Sequence, residues 1–147
     1  MKTYQGLFKP QNPEKYKGNH AQIVYRSSWE LKFMSYLDQH PDVIYWQSEE
    51  FFIPYRSPVD GKVHRYFPDF LVKKREKDGT VKTAIIEIKP KQQTAPPKHP
   101  GRVTRRYVTE VYTWGVNEAK WKAAREFCAD RKWSFHVFTQ DELGIRW

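Results

Sequence analysis

The stretch 64–89, HRYFPDFLVKKREKDGTVKTAIIEIK, constrains the fold more than any other part of the chain. Two strand-like runs, FLVK and TAIIEI, flank Lys77-Asp78-Gly79, which has the chemistry of a tight hairpin loop with glycine in the left-handed position. Side chains alternate across a strand, so loop length decides which residues face each other. A two-residue loop, Asp78-Gly79, would set position 69 against 88 and send Asp69 and Glu87 to opposite faces. A three-residue loop, Lys77 to Gly79 with a bulge at the glycine, would set Asp69 directly against Glu87. Facing Cβ atoms then lie roughly 4.5–5.5 Å apart, and Lys89, two residues on, shares their face.

Two acids that close repel each other unless something positive sits between them, and a divalent metal is the natural candidate. Glu87 also interrupts the apolar run Ala84-Ile85-Ile86-Glu87-Ile88, where a purely structural strand would take another aliphatic residue. The alternative is a solvent-facing hairpin whose charges form surface ion pairs, each worth about 0–1 kcal/mol.

Pro68-Asp69, followed on the next strand by Glu87-Ile88-Lys89, resembles the PD-(D/E)XK nuclease motif. The RSSWE string at 26–30 resembles the first-helix start of TnsA-like transposon endonucleases, in which a glutamate joins the active site. The strings TYQGLFKPQNPEKYKG, IVYRSSWE, FPDF, EIKPKQQTAPP and TWGVNEAKWKAAREFC resemble the head-completion nucleases of large contractile-tailed bacteriophages. The resemblance implies a metal-dependent endonuclease with Glu30, Asp69, Glu87 and Lys89 as its catalytic set. Asp69, Glu87, the Ile88 carbonyl and Glu30 would hold Mg²⁺, for which Mn²⁺ can substitute, and Lys89 would orient or deprotonate the attacking water. It also implies action on packaged double-stranded DNA at the portal before tail joining, beside portal or neck proteins, in the virion head and the host cytoplasm. Neither a membrane nor a small-molecule cofactor is expected. The alternatives are a transposon-end or repair endonuclease on the same scaffold, and a non-catalytic DNA-binding head plug.

Composition agrees with a polyanionic partner: 26 Lys and Arg against 17 Asp and Glu give a formal charge of +9. The 147 residues suit one domain. No apolar run reaches membrane-spanning length and no signal-peptide core is visible, so a soluble, unexported protein is expected. Cys128 is the single cysteine, which excludes an internal disulfide and a zinc–cysteine site.

Residues 1–26, rich in Lys, Pro, Asn and Gly, read as a basic extended arm, and residues 27–147 as the nuclease domain. Ser27 starts a helix that ends near His40, before Pro41. Ser27-x-x-Glu30 fits a capping box, yet Glu30 also lies at helical spacing from Phe33, Met34 and Leu37, the face expected to be buried. Glu30 therefore reads as cap, metal-site acid, or both. Short strands are expected at Val43–Trp46, Glu50–Tyr55 and Val63–Phe67, with Gln47 and Glu49 as ordinary surface positions.

Residues 89–106 hold four prolines, six Lys or Arg and no acid, which suits contact with DNA phosphates without base readout. Lys91, Lys98, His99, Arg102, Arg105 and Arg106 are the candidates, His99 alternatively as a proton donor to the leaving group. A helix over Val108–Arg131, with a break expected at Thr113-Trp114-Gly115, presents the stripe Ala119, Ala123, Ala124, Phe127 and Cys128. Trp133–Phe138 reads as the last strand, with a structural His136, and Thr139-x-x-Glu142 as a final cap. Ile145-Arg146-Trp147 is a candidate docking tail. The order implies an α/β (α+β) fold, a restriction-endonuclease-like αβββαβ core with a central mixed sheet flanked by helices.

Overall fold

The chain runs β1 (Gly6–Leu7), β2 (Val24–Tyr25), α1 (Ser28–Gln39), β3 (Val43–Ser48), β4 (Ile53–Arg56), β5 (Val63–Tyr66), β6 (Phe70–Arg75), β7 (Val81–Ile88), α2 (Arg105–Arg131), β8 (Ser134–Phe138) and α3 (Gln140–Leu143). The structure is a computed structural model that describes residues 5–143. The Ile145–Trp147 tail lies outside them.

Strands β3, β6, β7 and β8 form the central sheet in the order β3-β6-β7-β8. The first two pairings are antiparallel, and β7 with β8 is parallel. A parallel neighbour requires a crossover connection, which α2 supplies. This is the α/β architecture with a mixed sheet and flanking helices that the sequence predicts, with the separate hairpin β4–β5 inserted after β3.

Both faces of the sheet are buried because its middle strands are apolar on both. Phe70, Val72, Ala84, Ile86 and Ile88 face Phe33, Met34 and Leu37 of α1. Leu71 and Ile85 face Ala124 and Cys128 of α2 together with Ile53 and Tyr66 of the hairpin. Each such side chain contributes about 1.5–3 kcal/mol through burial.

The arm belongs to the first layer. Phe8, Tyr16 and Ile23 are buried with Trp46, and Lys17 N donates to Trp46 O at 2.9 Å. Asp38, buried on α1, accepts from the backbone amides of Gln11 at 2.8 Å and Asn12 at 3.0 Å.

The structure departs from sequence expectation at α2. Thr104 caps it, accepting from Tyr107 N, and the helix then runs 27 residues without a break at Thr113-Trp114-Gly115. One interior glycine costs a helix only about 1 kcal/mol, which packing on both sheet and hairpin offsets. Arg105 and Arg106 therefore sit on the first helical turn rather than in the loop. Strand β4 also starts later than expected, at Ile53. Ala123, Ala124, Phe127 and Cys128 of the small-residue stripe pack against the sheet as expected, and Asn117 and Trp121 are buried as well. Among the described residues no helix is long and apolar enough to cross a membrane.

Candidate active site

The hairpin β6–β7 has the three-residue loop. Gly79 N donates to Glu76 O at 3.0 Å and Glu76 N to Thr80 O at 2.7 Å, enclosing Lys77, Asp78 and Gly79. Gly79 has φ of 87°, a left-handed conformation that glycine adopts without strain. Asp78 Oδ1 pins the turn by accepting from Thr80 N and Thr80 Oγ1. The resulting register pairs Phe70 with Ile86, so the preceding residue, Asp69, falls opposite Glu87.

Alternation then places Asp69, Glu87 and Lys89 on the face of Leu71 and Ile85, the one covered by α2 and the β4–β5 hairpin. Glu87 is only 4% exposed. Ile88 N donates to Asp69 Oδ2 at 2.8 Å, Asp69 N approaches Glu87 Oε1 at 3.3 Å, and the two side chains are in hydrogen-bond contact. Burial first, then the Glu87 charge, pushes the Asp69 carboxyl well above its usual range. Two carboxyls can share a hydrogen bond only with a proton between them, so Asp69 takes that proton in the absence of a cation. The Tyr66 hydroxyl, buried without a well-aligned hydrogen bond, lies beside the same acids, and burial and the Glu87 charge push its pKa up.

Glu30 sits on the first turn of α1, the helix that packs on the opposite face of the sheet. Ser27 Oγ accepts from Glu30 N at 3.1 Å, and Glu30 reaches back toward Arg26 N and Ser27 Oγ, each at 3.4 Å. The capping geometry is therefore present. Glu30 is also within electrostatic reach of Asp69, and its own pKa is raised, chiefly by burial and further by the Glu49 charge.

The donor set suits a hard divalent cation, since both carboxylates and the Ile88 carbonyl offer oxygen. Among the described residues no three His, Cys, Asp or Glu side chains converge closely enough to hold an ion alone. Two carboxylates completed by water and phosphate oxygens are how proteins commonly bind Mg²⁺, so the residues fit that ion.

Three residues of the site escaped sequence reading. Glu49, at the end of β3, adopts a left-handed φ of 53° and receives the Arg26 guanidinium, with Nη1 at 2.7 Å from Oε1. Such backbone is strained for a non-glycine residue, and the strain is the signal that an ordinary surface position lacks. Arg26 in turn feels Glu49, Glu30 and Asp69. Lys120, half-buried on α2, interacts with Glu87, Lys89 and Asp69, and burial lowers its pKa.

The cationic candidates lie in the segment between β7 and α2 and on the first turn of α2. Lys91 pairs with Asp141 at 3.1 Å and Arg106 with Glu110 at 3.3 Å. His99 Nδ1 accepts from Gly101 N, and its ring packs edge-on against Tyr107. Lys98, Arg102 and Arg105 make no ion pair among the described residues. Lys98 and Arg106 line a cavity of about 630 Å³ between the proline-rich loop and the first half of α2.

Residues 40–140 match the family described as TnsA-like endonuclease N terminal. The match spans Asp69, Glu87, Lys89 and Lys120 and begins beyond Glu30. The head completion nuclease of Enterobacteria phage T4 is 42% identical over 145 residues, covering 96% of this chain and 94% of that protein.

Proposed function

The chain belongs to the TnsA-like endonuclease family, and on that premise we propose that it is a divalent-metal-dependent endodeoxyribonuclease hydrolysing phosphodiester bonds in double-stranded DNA. The observation that carries the reading is the Asp69–Glu87 pair, with Glu87 buried and Asp69 partly so, set opposite each other at one strand end with Lys89 two residues away. Such a like-charge pair opposes folding unless a cation is its purpose.

Asp69, Glu87 and the Ile88 carbonyl hold Mg²⁺, and Mn²⁺ substitutes for it. Glu30, at the α1 cap, is the third acid. The ion, when bound, makes water more acidic and neutralises charge on the phosphate. Lys89 orients the attacking water, accepts or relays its proton, and stabilises negative charge as it develops. Lys98, Arg102 and Arg105, with Lys91, His99 and Arg106 beside them, hold the DNA by its phosphates. The T4 relative's name, head completion nuclease, supports a nuclease role in head completion; the substrate we propose is packaged phage DNA at the portal, before tail joining. Portal or neck proteins are the expected partners, and the virion head and host cytoplasm the expected locations.

Digestion of linear and supercoiled duplex DNA in Mg²⁺, Mn²⁺ or EDTA tests this, with Lys89→Ala as the paired variant. Cleavage by wild type with metal alone, and none by the variant, is the expected result. DNA binding by both proteins without cleavage in any divalent ion would replace the reading with a non-catalytic DNA-binding plug.

A further inference from the structure

Lys120 lies thirty-one residues from Lys89, yet the crossover brings α2 across the face that bears the carboxylate pair. Its ammonium sits 5.8 Å from the centre of the Tyr55 ring and 5.7 Å from that of Tyr66, so two strands of the inserted hairpin wall its stem. Tyr66 is itself beside Glu87. The charge of Lys120 acts on Glu87, Lys89 and Asp69. Even so, the Lys120 ammonium closes no ion pair and makes no hydrogen bond among the described residues. A lysine kept only to neutralise a buried carboxylate would close on it, because an unpaired buried charge is costly. Lys120 instead stops short of the acids, with a second lysine for a neighbour.

Two lysines near one another repel unless an anion comes between them. The site's acids are Glu30, Asp69 and Glu87, and Glu87 and Asp69 act directly on Lys120. A second positive charge beside them lowers the cost of bringing an anionic phosphodiester, and the charge that builds on it under attack, into the site. Fixed charges aimed at a developing anion inside a water-poor site are worth far more than in water.

We propose that Lys120 is a second catalytic lysine, reaching the scissile phosphate from the α2 side, holding a non-bridging oxygen in the bound state and stabilising its charge during cleavage. The inference rests on the nuclease reading given above. Lys120 moves no proton; it donates hydrogen bonds to the phosphate.

Lys120→Met keeps the stem over the tyrosines and removes the charge, while Lys120→Arg keeps the charge. DNA affinity is measured by fluorescence anisotropy in EDTA over a series of salt concentrations, single-turnover cleavage in Mg²⁺, and folding by circular dichroism. One lost phosphate contact lowers the slope of log affinity against log salt by about 0.9. Loss of one preorganised donor lowers the cleavage rate by about 10²–10³-fold. Both changes are expected in Lys120→Met with native dichroism, and Lys120→Arg should recover the slope and part of the rate. Wild-type slope and rate in Lys120→Met would overturn the proposal. A rate loss with an unchanged slope would do so too, since it assigns Lys120 to the acids instead of the phosphate, as would a slope loss with an unchanged rate. If the Met variant does not fold, Lys120→Arg decides: wild-type slope with a measurable rate upholds the contact, and a lost slope overturns it. Failure of the nuclease reading itself is separately visible, as wild-type protein that leaves DNA intact with every divalent ion.

Discussion

Replacing Asp69 with Asn should stabilise the metal-free protein while it abolishes cleavage. The Asp69 carboxyl is buried against Glu87, and its pKa in the folded protein stands well above the ordinary 3.8. The folded state therefore binds more protons than the unfolded chain between those two values. Unfolding free energy falls as pH rises through that window and levels off above it. Near neutrality the acid is a net liability. Asparagine keeps an oxygen for the Ile88 amide, which donates to Asp69 Oδ2 at 2.8 Å, and its Nδ2 offers Glu87 a permanent proton in place of one drawn from solvent. Two full charges about 4 Å apart repel by about 4 kcal/mol at an effective dielectric constant near 20. Lys120 offsets part of this. A net gain of about 1–3 kcal/mol remains, a rise in Tm of roughly 3–9 °C for a chain of this size.

Scanning calorimetry in EDTA at pH 5 and pH 8 reads the effect, with the larger gain expected at pH 8. Adding Mg²⁺ should reverse the order: wild type gains about 2.7 kcal/mol at a hundredfold excess over Kd, and the variant gains less. An Asp69→Asn protein that melts at or below wild type in EDTA at pH 8, or a difference that ignores pH between 5 and 8, would refute the reasoning.

Other expectations test the scaffold and the cationic segment. Asp38→Ala strips two backbone amides of their acceptor and should cost about 2–4 kcal/mol in urea unfolding; a loss below about 0.5 kcal/mol would mean that the arm is not held by this clamp. Burial pushes the Cys128 thiol up to about 11, so a disulfide reagent at pH 8 should leave the native protein untouched and titrate one thiol after denaturation. Replacing both Arg102 and Arg105 with Ala should lower the salt slope of DNA binding by about 1.8, and an unchanged slope would move the DNA path off this segment.

The hairpin was legible in sequence because its information is local. Gly79 fixes the turn, the turn fixes the register, and the register alone puts Asp69 against Glu87. The capping boxes at Ser27 and Thr139 were readable for the same reason, each closing within three residues. What stayed hidden depends on partners far apart in the chain. Lys120 looks like any solvent-facing helical lysine until the crossover sets which side of α2 meets the sheet. The small-residue stripe found the face that meets the sheet, through Ala123, Ala124, Phe127 and Cys128, but not the burial of Asn117 and Trp121 farther up the helix, which large and polar residue types do not announce. Glu49 carries no sequence signal, since a left-handed glutamate is recognised only from its backbone. The break expected at Gly115 failed because a propensity worth about 1 kcal/mol is small beside tertiary packing along a 27-residue helix.

The N-terminal segment also has a bearing on the site, through Arg26. It follows β2 directly and precedes the Ser27 cap, so the buried Phe8, Tyr16 and Ile23 and the Asp38 clamp fix the chain just upstream of it. From that position its guanidinium grips Glu49 at the end of β3 while feeling Glu30 and Asp69. The Arg26–Glu49 pair is exposed, and exposed pairs contribute only about 0–1 kcal/mol to stability. Its consequence is electrostatic. Glu49 is tied to Arg26, and Glu30, at the helix cap, is the acid besides Glu87 that acts on Asp69. By placing Arg26 between Glu49 and Glu30, the arm sets how much negative charge surrounds the candidate cation site.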